Sequence, residues 1–489
     1  MSWINLLLVF IPVSWACNFA LPHTSQNDTL IFVFSFLAIM PLAKMLAFAT
    51  DELSMRVGET LAGLLNATLG NAVELIVSII ALAQCQLQVV QSSLVGSILS
   101  NLLLVLGMCF FAGGVKYAEQ GFGMSATQLN SSLLTISVIA VLLPAAFHLV
   151  AGQYIPDNIE GPEILSFSRG AAIILLFIYG SYLVFQLFSH KELYEDNATD
   201  FKSTRYPNRP SRNSLTSMGP RWLRRFGRNA NSSSEPLSPK AENGGTDVEM
   251  TDRSASPERA SSLERSEGGS SSTAVHDEPE VISERRGRAA DRDIEAQDGE
   301  AQKGEAKEGE EGEGKKKVEN PSLSLWTTIA LLAVVTVLVA VTAEWLVDSI
   351  DGLTSTGKIS KEFVGLILLP IVGNAAEHVT AVTVSVKDKL TLSLGVAVGS
   401  SIQIALFVIP FTVVLSWIMA KPLTLLFDPF ESIVLFLSVM VVNYTVQDGK
   451  SNWLEGMILM CLYVIIAVTF WYYPGVSISQ QIITPSLQC

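Results

Sequence analysis

A chain of 489 residues with 49% hydrophobic and only 16% charged residues, and a mean hydropathy of +0.39, is too apolar for a soluble protein of two or three domains; it is expected to be an all-α polytopic membrane protein whose surroundings are the lipid bilayer. The formal net charge of −14 speaks against nucleic acid as a partner. The five cysteines, Cys17, Cys85, Cys109, Cys461 and Cys489, have no C-x-x-C spacing, so neither a zinc site nor a disulfide framework is indicated.

Taken in order, the first apolar run covers 3–20, with Pro12 inside it and no basic residue ahead of it, which favours a retained span over a cleaved signal. Further runs at 29–49, 61–83, 92–114, 128–150 and 167–189 give six helices, and runs at 323–346, 363–384, 391–419, 430–446 and 454–473 give five more. The expected organisation is a leading helix and short loop (1–28), a first five-helix repeat (29–189), a linker (190–322), a second five-helix repeat (323–475) and a tail (476–489). Five is odd, so the second repeat starts from the opposite face of the membrane and the repeats are inverted.

Loops after helices two, four and six carry Arg56, Lys116 and the Lys202–Arg228 cluster, while those after one, three and five carry no Lys or Arg, which places the N-terminus and linker in the cytoplasm and the C-terminus on the far side. Lys387, Lys389 and Lys450 agree with this; Lys358, Lys361 and Lys421 fall on the other side. Roughly two thirds of the basic residues fall between 190 and 320, in a linker that opens basic around Trp222 and Phe226 and ends in the Glu/Gly/Lys run Gly299–Lys317. With so little apolar content it is expected to be a disordered tether; its basic part is also of a kind that docks on anionic lipid.

The membrane part is therefore sparsely charged, and each acid left in it needs an explanation. Gly70-Asn71-Ala72-Val73-Glu74 recurs as Gly373-Asn374-Ala375-Ala376-Glu377, 303 positions on, and the same offset relates Glu59 to Glu362 and Val95-Gly96-Ser97 to Val398-Gly399-Ser400. Three matches at one spacing argue for an internal duplication, and a polar, Gly-interrupted segment at matching places in two membrane halves points to a transporter whose site lies between them. An ionised carboxylate at bilayer depth costs about 2.5–3.5 kcal/mol even on a lenient scale, so Glu74 and Glu377 are read as functional. Gly70 and Gly373 let each helix break, Pro370 weakens the second further, and Asn71 and Asn374 are placed to cap the restarted helices. Two carboxylates plus freed carbonyls form an all-oxygen site whose charge of −2 matches Ca²⁺.

Ser100, Asn101, Ser400, Ser401 and Gln403 in the following helices either complete that ion shell or serve close helix packing. Glu59, Glu362, Asp51, Glu52 and Glu344 sit at helix ends, where they are ordinary solvated charges or acids that guide ions inward. His378 is a packed polar residue or a proton carrier. Asn374-Ala375-Ala376-Glu377-His378 approaches the H-x-x-E-H pattern of zinc proteases but lacks its first histidine, so no enzyme is expected. Without a Walker loop, transport is expected to run on an ion gradient, with no cofactor.

The paired motifs G-N-A-V-E-L and G-N-A-A-E-H, each followed by V-G-S, resemble the repeats of the cation/proton exchangers, specifically the fungal vacuolar Ca²⁺/H⁺ antiporters, over 1–190 and 322–475. The resemblance implies that Glu74 and Glu377 bind Ca²⁺ and H⁺ in turn, with Asn71, Asn374 and nearby carbonyls lining the site, in a vacuolar membrane. The alternatives are a Mn²⁺ or broad divalent cation/H⁺ exchanger, since oxygen ligands select weakly between Ca²⁺ and Mn²⁺, and a Na⁺-coupled Ca²⁺ exchanger.

Overall fold

The computed structural model describes residues 3–57, 59–152, 154–190, 193, 203–205, 321–355 and 357–475. Most of the expected 190–322 linker, including Trp222, Phe226 and the Gly299–Lys317 run, and the 476–489 tail lie outside them.

The described residues are helical almost throughout. After a 3₁₀ turn at Trp3–Val9 come α1 (Phe10–Ala20), α2 (Ser25–Ser54), α3 (Glu59–Leu69), α4 (Ala72–Ala83), α5 (Leu87–Lys116), α6 (Met124–Ala151) and α7 (Ile159–Ser189). The second half supplies α8 (Leu325–Thr354), α9 (Lys361–Gly373), α10 (Ala375–Val386), α11 (Leu390–Ile418), α12 (Pro429–Thr445) and α13 (Trp453–Tyr472). Seven helices are long and apolar enough to cross a bilayer, and α9 with α10, bent by 57° at their junction, make an eighth. Ile4–Ala20, Ala72–Ala83 and Pro429–Thr445 are shorter, so eleven spans are reached only by counting these as crossings. Polar groups cap the first turns of several helices: the Thr24 side chain accepts from Asn27 N, Ser324 from Thr327 N, and Asn452 with Glu455 forms a capping box.

The two halves are set head to tail by α2 and α8. Near one end of the pair the Ser25 hydroxyl donates to Gly352 O at 2.9 Å; near the other, the Glu52 carboxylate accepts from Ser322 N, Ser322 Oγ and Leu323 N at 2.6–3.2 Å. These helices therefore run antiparallel along their length, the geometry expected of inverted repeats. The molecule has a linker end, where Ser322 returns from the linker, and an opposite end. At the linker end Lys116 Nζ donates to Val386 O (2.9 Å), and Gln120 Nε2 to Asp388 Oδ1 (3.1 Å). At the opposite end Lys361 pairs with Asp351 at 2.5 Å and donates to Gln86 Oε1 at 3.1 Å, so one of the lysines that offends the charge rule is locally neutralised.

The duplication is visible in the backbone. Cys85 and Asp388, again 303 apart, both take left-handed φ (61° and 66°) in the turns closing α4 and α10. α5 and α11 both contain a π segment, Ser100–Val105 and Ile404–Val408, at matching places.

Two features depart from expectation. A small sheet joins the loops at the linker end: β1 (Tyr117–Gly121) pairs antiparallel with β2 (Thr204–Arg205) and β3 (Lys450–Ser451), elements too short to leave a period-two signal. Cys85 is disulfide-bonded, which its isolated place in the sequence does not announce.

The core is sealed by backbone-close crossings. A Cβ at Gly96 in α5 would overlap the carbonyl of Leu366 in α9, whereas its repeat mate Gly399 faces open space. Gly96→Ala is therefore expected to cost at least about 1–3 kcal/mol and lower the thermal midpoint of the detergent-solubilised protein by several degrees, and Gly399→Ala to stay within about 0.5 kcal/mol, measured by thermal unfolding of both variants.

Candidate cation site between the repeats

Each half delivers its carboxylate in the first turn of a restarted helix: Glu74 in α4 after the Gly70-Asn71 break, Glu377 in α10 after Asn374. The asparagines do not cap these helices as expected; neither side chain makes a cap bond. Asn71 reaches across to the other repeat instead, its Nδ2 donating to Gln403 Oε1 (2.6 Å) and its Oδ1 accepting from Ser400 Oγ (2.7 Å). Asn374 Nδ2 points to Ser97 O at 3.4 Å. The reason is competition: at a break buried between repeats, the partner repeat offers stronger polar groups than the helix end does.

The two acids meet at this crossing. Glu74 is buried, and its Oε1 occupies space beside Gly373, only 2.5 Å from where a Cβ there would stand. Glu377 is within electrostatic reach of Glu74, and Ser400 and Asn101 stand close enough to act on its carboxyl. Asn101 Nδ2 donates to Ser400 Oγ at 3.0 Å, so Gln403, Asn71, Ser400 and Asn101 form one polar chain spanning both halves, with Glu377 beside it.

Acceptors without donors remain in and beside this chain. Glu377 Oε2, Asn101 Oδ1 and Asn374 Oδ1 are all buried with no hydrogen-bond partner. Unmet acceptors in a core are rare and costly, and oxygen acceptors grouped beside two carboxylates fit a hard cation. Among the described residues no group of three or more His, Cys, Asp or Glu is arranged around a metal, so the set relies on amide and hydroxyl oxygens beyond its two carboxylates.

A cavity of about 460 Å³ runs from Gly70, Gly373, Glu377 and Gln403 toward Asp51 and Gln186 at the linker end. Glu74 instead faces a pocket of about 20 Å³ with Ser97, Pro370 and Gly373, room for a single small ion or water.

The remaining candidates divide. Ser100 Oγ lies 3.4 Å from His378 Nε2, beside the site. Ser401 Oγ donates to Ala397 O of its own helix (3.0 Å) and stays out of the polar chain. Asp51 lines the cavity mouth, but Glu52 is committed to Ser322 and Leu323, a structural anchor rather than an ion guide. Glu344 is exposed on α8, where it acts electrostatically on Asp348. Glu362 is buried at the opposite end, away from the crossing. The role drawn for Glu59 falls on a side chain outside the described set. Sequence reasoning missed Asn66, which lines the cavity and accepts from Ser54 Oγ at 2.7 Å, and Glu431, a buried acid in α12. Glu431 was within reach of the rule applied to Glu74, that every acid in an apolar run needs a reason.

The sodium/calcium exchanger protein family matches residues 27–188 and 327–472, the two repeats without the linker. A vacuolar calcium ion transporter of Cryptococcus neoformans is 52% identical over 97% of this chain and 74% of its own length. One of Schizosaccharomyces pombe is 37% identical over 97% and 85%, and a Ca²⁺/H⁺ antiporter of Synechocystis is 34% identical over 96% of both. Among solved structures, native YfkE superposes with a TM-score of 0.61 at 25% identity, covering 96% of this chain and all of that one. An H⁺/Ca²⁺ exchanger crystal structure shares the fold, with a TM-score of 0.54 at 11% identity over 98% of this chain and 90% of its own. Two motif-bearing halves, one crossing of acids and relatives matched along nearly the whole chain lead to one conclusion: this protein belongs to the sodium/calcium exchanger protein family.

Proposed function

We propose that the protein is a secondary active transporter that exchanges cytosolic Ca²⁺ for lumenal H⁺ across a vacuolar membrane. One observation carries this reading: Glu74 and Glu377, one from each antiparallel half, meet at a crossing where neighbouring oxygens lack donors. The names of the vacuolar and Ca²⁺/H⁺ relatives support the choice of ions and membrane.

In this mechanism the two ionised carboxylates, with Asn101 Oδ1 and Asn374 Oδ1 turned inward, take Ca²⁺ when the crossing is open to the cytosol. When it is open to an acidic lumen, protons take the carboxylates and the cation leaves. The same oxygens serve both ions, so occupancy by one excludes the other, and that exclusion is the coupling. The basic loops Arg56 and Lys116 at the linker end favour placing that end and the N-terminus in the cytosol and the C-terminus in the lumen. With the 460 Å³ cavity reaching the linker end, the conformation described is then one open to the cytosol.

In vesicles with an imposed pH gradient, Glu74→Gln and Glu377→Gln are each expected to abolish both Ca²⁺ uptake and the opposing proton flux; either variant retaining full exchange would remove the assignment. Raising the proton concentration on the Ca²⁺-loading face is expected to raise the Ca²⁺ concentration for half-maximal uptake without lowering the maximal rate, read from uptake curves at several pH values. Asn101→Ala is expected to raise that concentration about tenfold, the loss of one cation ligand, while Ser401→Ala stays within about twofold. Competition by Mn²⁺ and Na⁺ in the same assay decides ion preference.

A further inference from the structure

The opposite end of the molecule holds a second group of acids that the crossing does not use. Glu362 stands in the first turn of α9 and Glu431 in the first turn of α12, each 2% exposed, with Asp428 capping α12 between them. Asp428 is saturated: its Oδ1 accepts from Phe430 N (2.8 Å) and Glu431 N (3.3 Å), and its two oxygens accept from the Tyr473 hydroxyl at 3.1 and 2.9 Å. Glu362 Oε1 and Glu431 Oε1, in contrast, are buried without any donor. The three carboxyls lie within electrostatic reach of one another.

The surrounding elements close over this group without neutralising it. Past α13 the chain lies directly on Glu362, so that a Cβ on Gly475 would overlap the carboxyl, and Gly475 takes the left-handed φ of +75° that glycine accepts. Burial, then its bond to Asp428, holds the Tyr473 phenol well above its ordinary pKa, so it remains a donor. Lys361, beside Glu362, acts on it at a distance but makes its ion pair with Asp351, and Lys358 lies on the wall of the adjoining cavity. That cavity, of about 520 Å³, is lined by Gln88, Ser360, Lys361, Glu362 and Tyr473.

A metal does not suit the group. Ca²⁺ takes six to eight oxygens, whereas both Asp428 oxygens are occupied by donors and the Glu362 and Glu431 carboxyls together offer at most four. Among the described residues no three such acids are arranged for a metal. Two buried carboxyls within electrostatic reach of each other, each with an oxygen that no donor meets, are instead stabilised by protons.

We propose that Glu362 and Glu431 form a proton station at this end, filled from the 520 Å³ cavity and separate from the cation crossing. The step is acid–base only: each carboxylate accepts one proton from solvent and later returns it. Glu362 heads the same helix that ends at Gly373, about 17 Å along α9 at 1.5 Å per residue, so its protonation is felt at the break beside Glu74. The proposal rests on the proton-exchange reading and deepens it.

The test uses the full chain in proteoliposomes, with Ca²⁺ uptake measured while pH is varied on each face separately. Glu362→Gln and Glu431→Gln are expected to displace the half-maximal pH by about one unit, a tenfold change in proton concentration, on the face bearing Tyr473 and to leave the other face's profile in place. Difference infrared spectra after a pH jump should show a protonated-carboxyl band in the wild type that each variant diminishes. If Glu431→Gln does not fold, Glu362→Gln carries both expectations, and Tyr473→Phe, which removes the donor to Asp428 and keeps every acid, carries the displaced pH profile with the carboxyl band retained. Profiles that superimpose on wild type, or that shift equally on both faces, overturn the station. A wild type indifferent to any pH gradient overturns the exchange reading instead.

Discussion

Two carboxylates are held together inside a lipid-embedded protein only if the backbones around them approach closely and their charge is met. Here the approach depends on one missing atom. Gly373 leaves the space that the Glu74 carboxylate fills, so the break in one repeat receives the acid of the other. The antiparallel α2–α8 pair fixes the halves in the register that makes this contact, and the close passage of Gly96 over Leu366 holds α5 against α9. Any arrangement that separated the breaks would strand two acids in hydrocarbon.

The polar chain that crosses the interface makes the halves interdependent. Asn71 belongs to the first repeat but is held by Gln403 and Ser400 of the second; Ser400 belongs to the second but is held in turn by Asn101 of the first. Neither half satisfies its own amides. Movement of one break therefore disturbs the hydrogen bonds of the other, a physical basis for the site opening as a unit instead of one half at a time. The duplication is not symmetric in chemistry: Asn101 has Ile404 as its repeat mate, and His378 has Leu75, so the two sides of the crossing present different groups to an ion.

Much of this was legible in the sequence because membrane burial makes every polar residue conspicuous. The 303-residue offset located both breaks and both acids, and the structure repeats that offset in the left-handed turns at Cys85 and Asp388. What was not legible depends on partners distant in sequence. Asn71 and Asn374 read locally as caps, and only the fold reveals the groups that outcompete the helix ends for them. Glu52 read as an acid at a helix end because its partner, Ser322, lies 270 positions on. Ser401 shares a motif with Ser400 but turns back to its own helix, a matter of rotation about the axis that spacing leaves undecided for adjacent residues. The three-stranded sheet joins segments of two to five residues, too short for any periodic signal.

The anchoring of Ser322 by Glu52 bears on how the segment joining the halves can vary. The chain is fastened where it returns, by the Ser322 and Leu323 amides and the Ser322 hydroxyl on one carboxylate. Membrane register at this point is thereby set by Ser322 and Leu323 themselves: the length of sequence ahead of them does not decide where α8 begins. A protein fastened in this way is free to acquire or discard regulatory sequence in its middle without rebuilding its transport core.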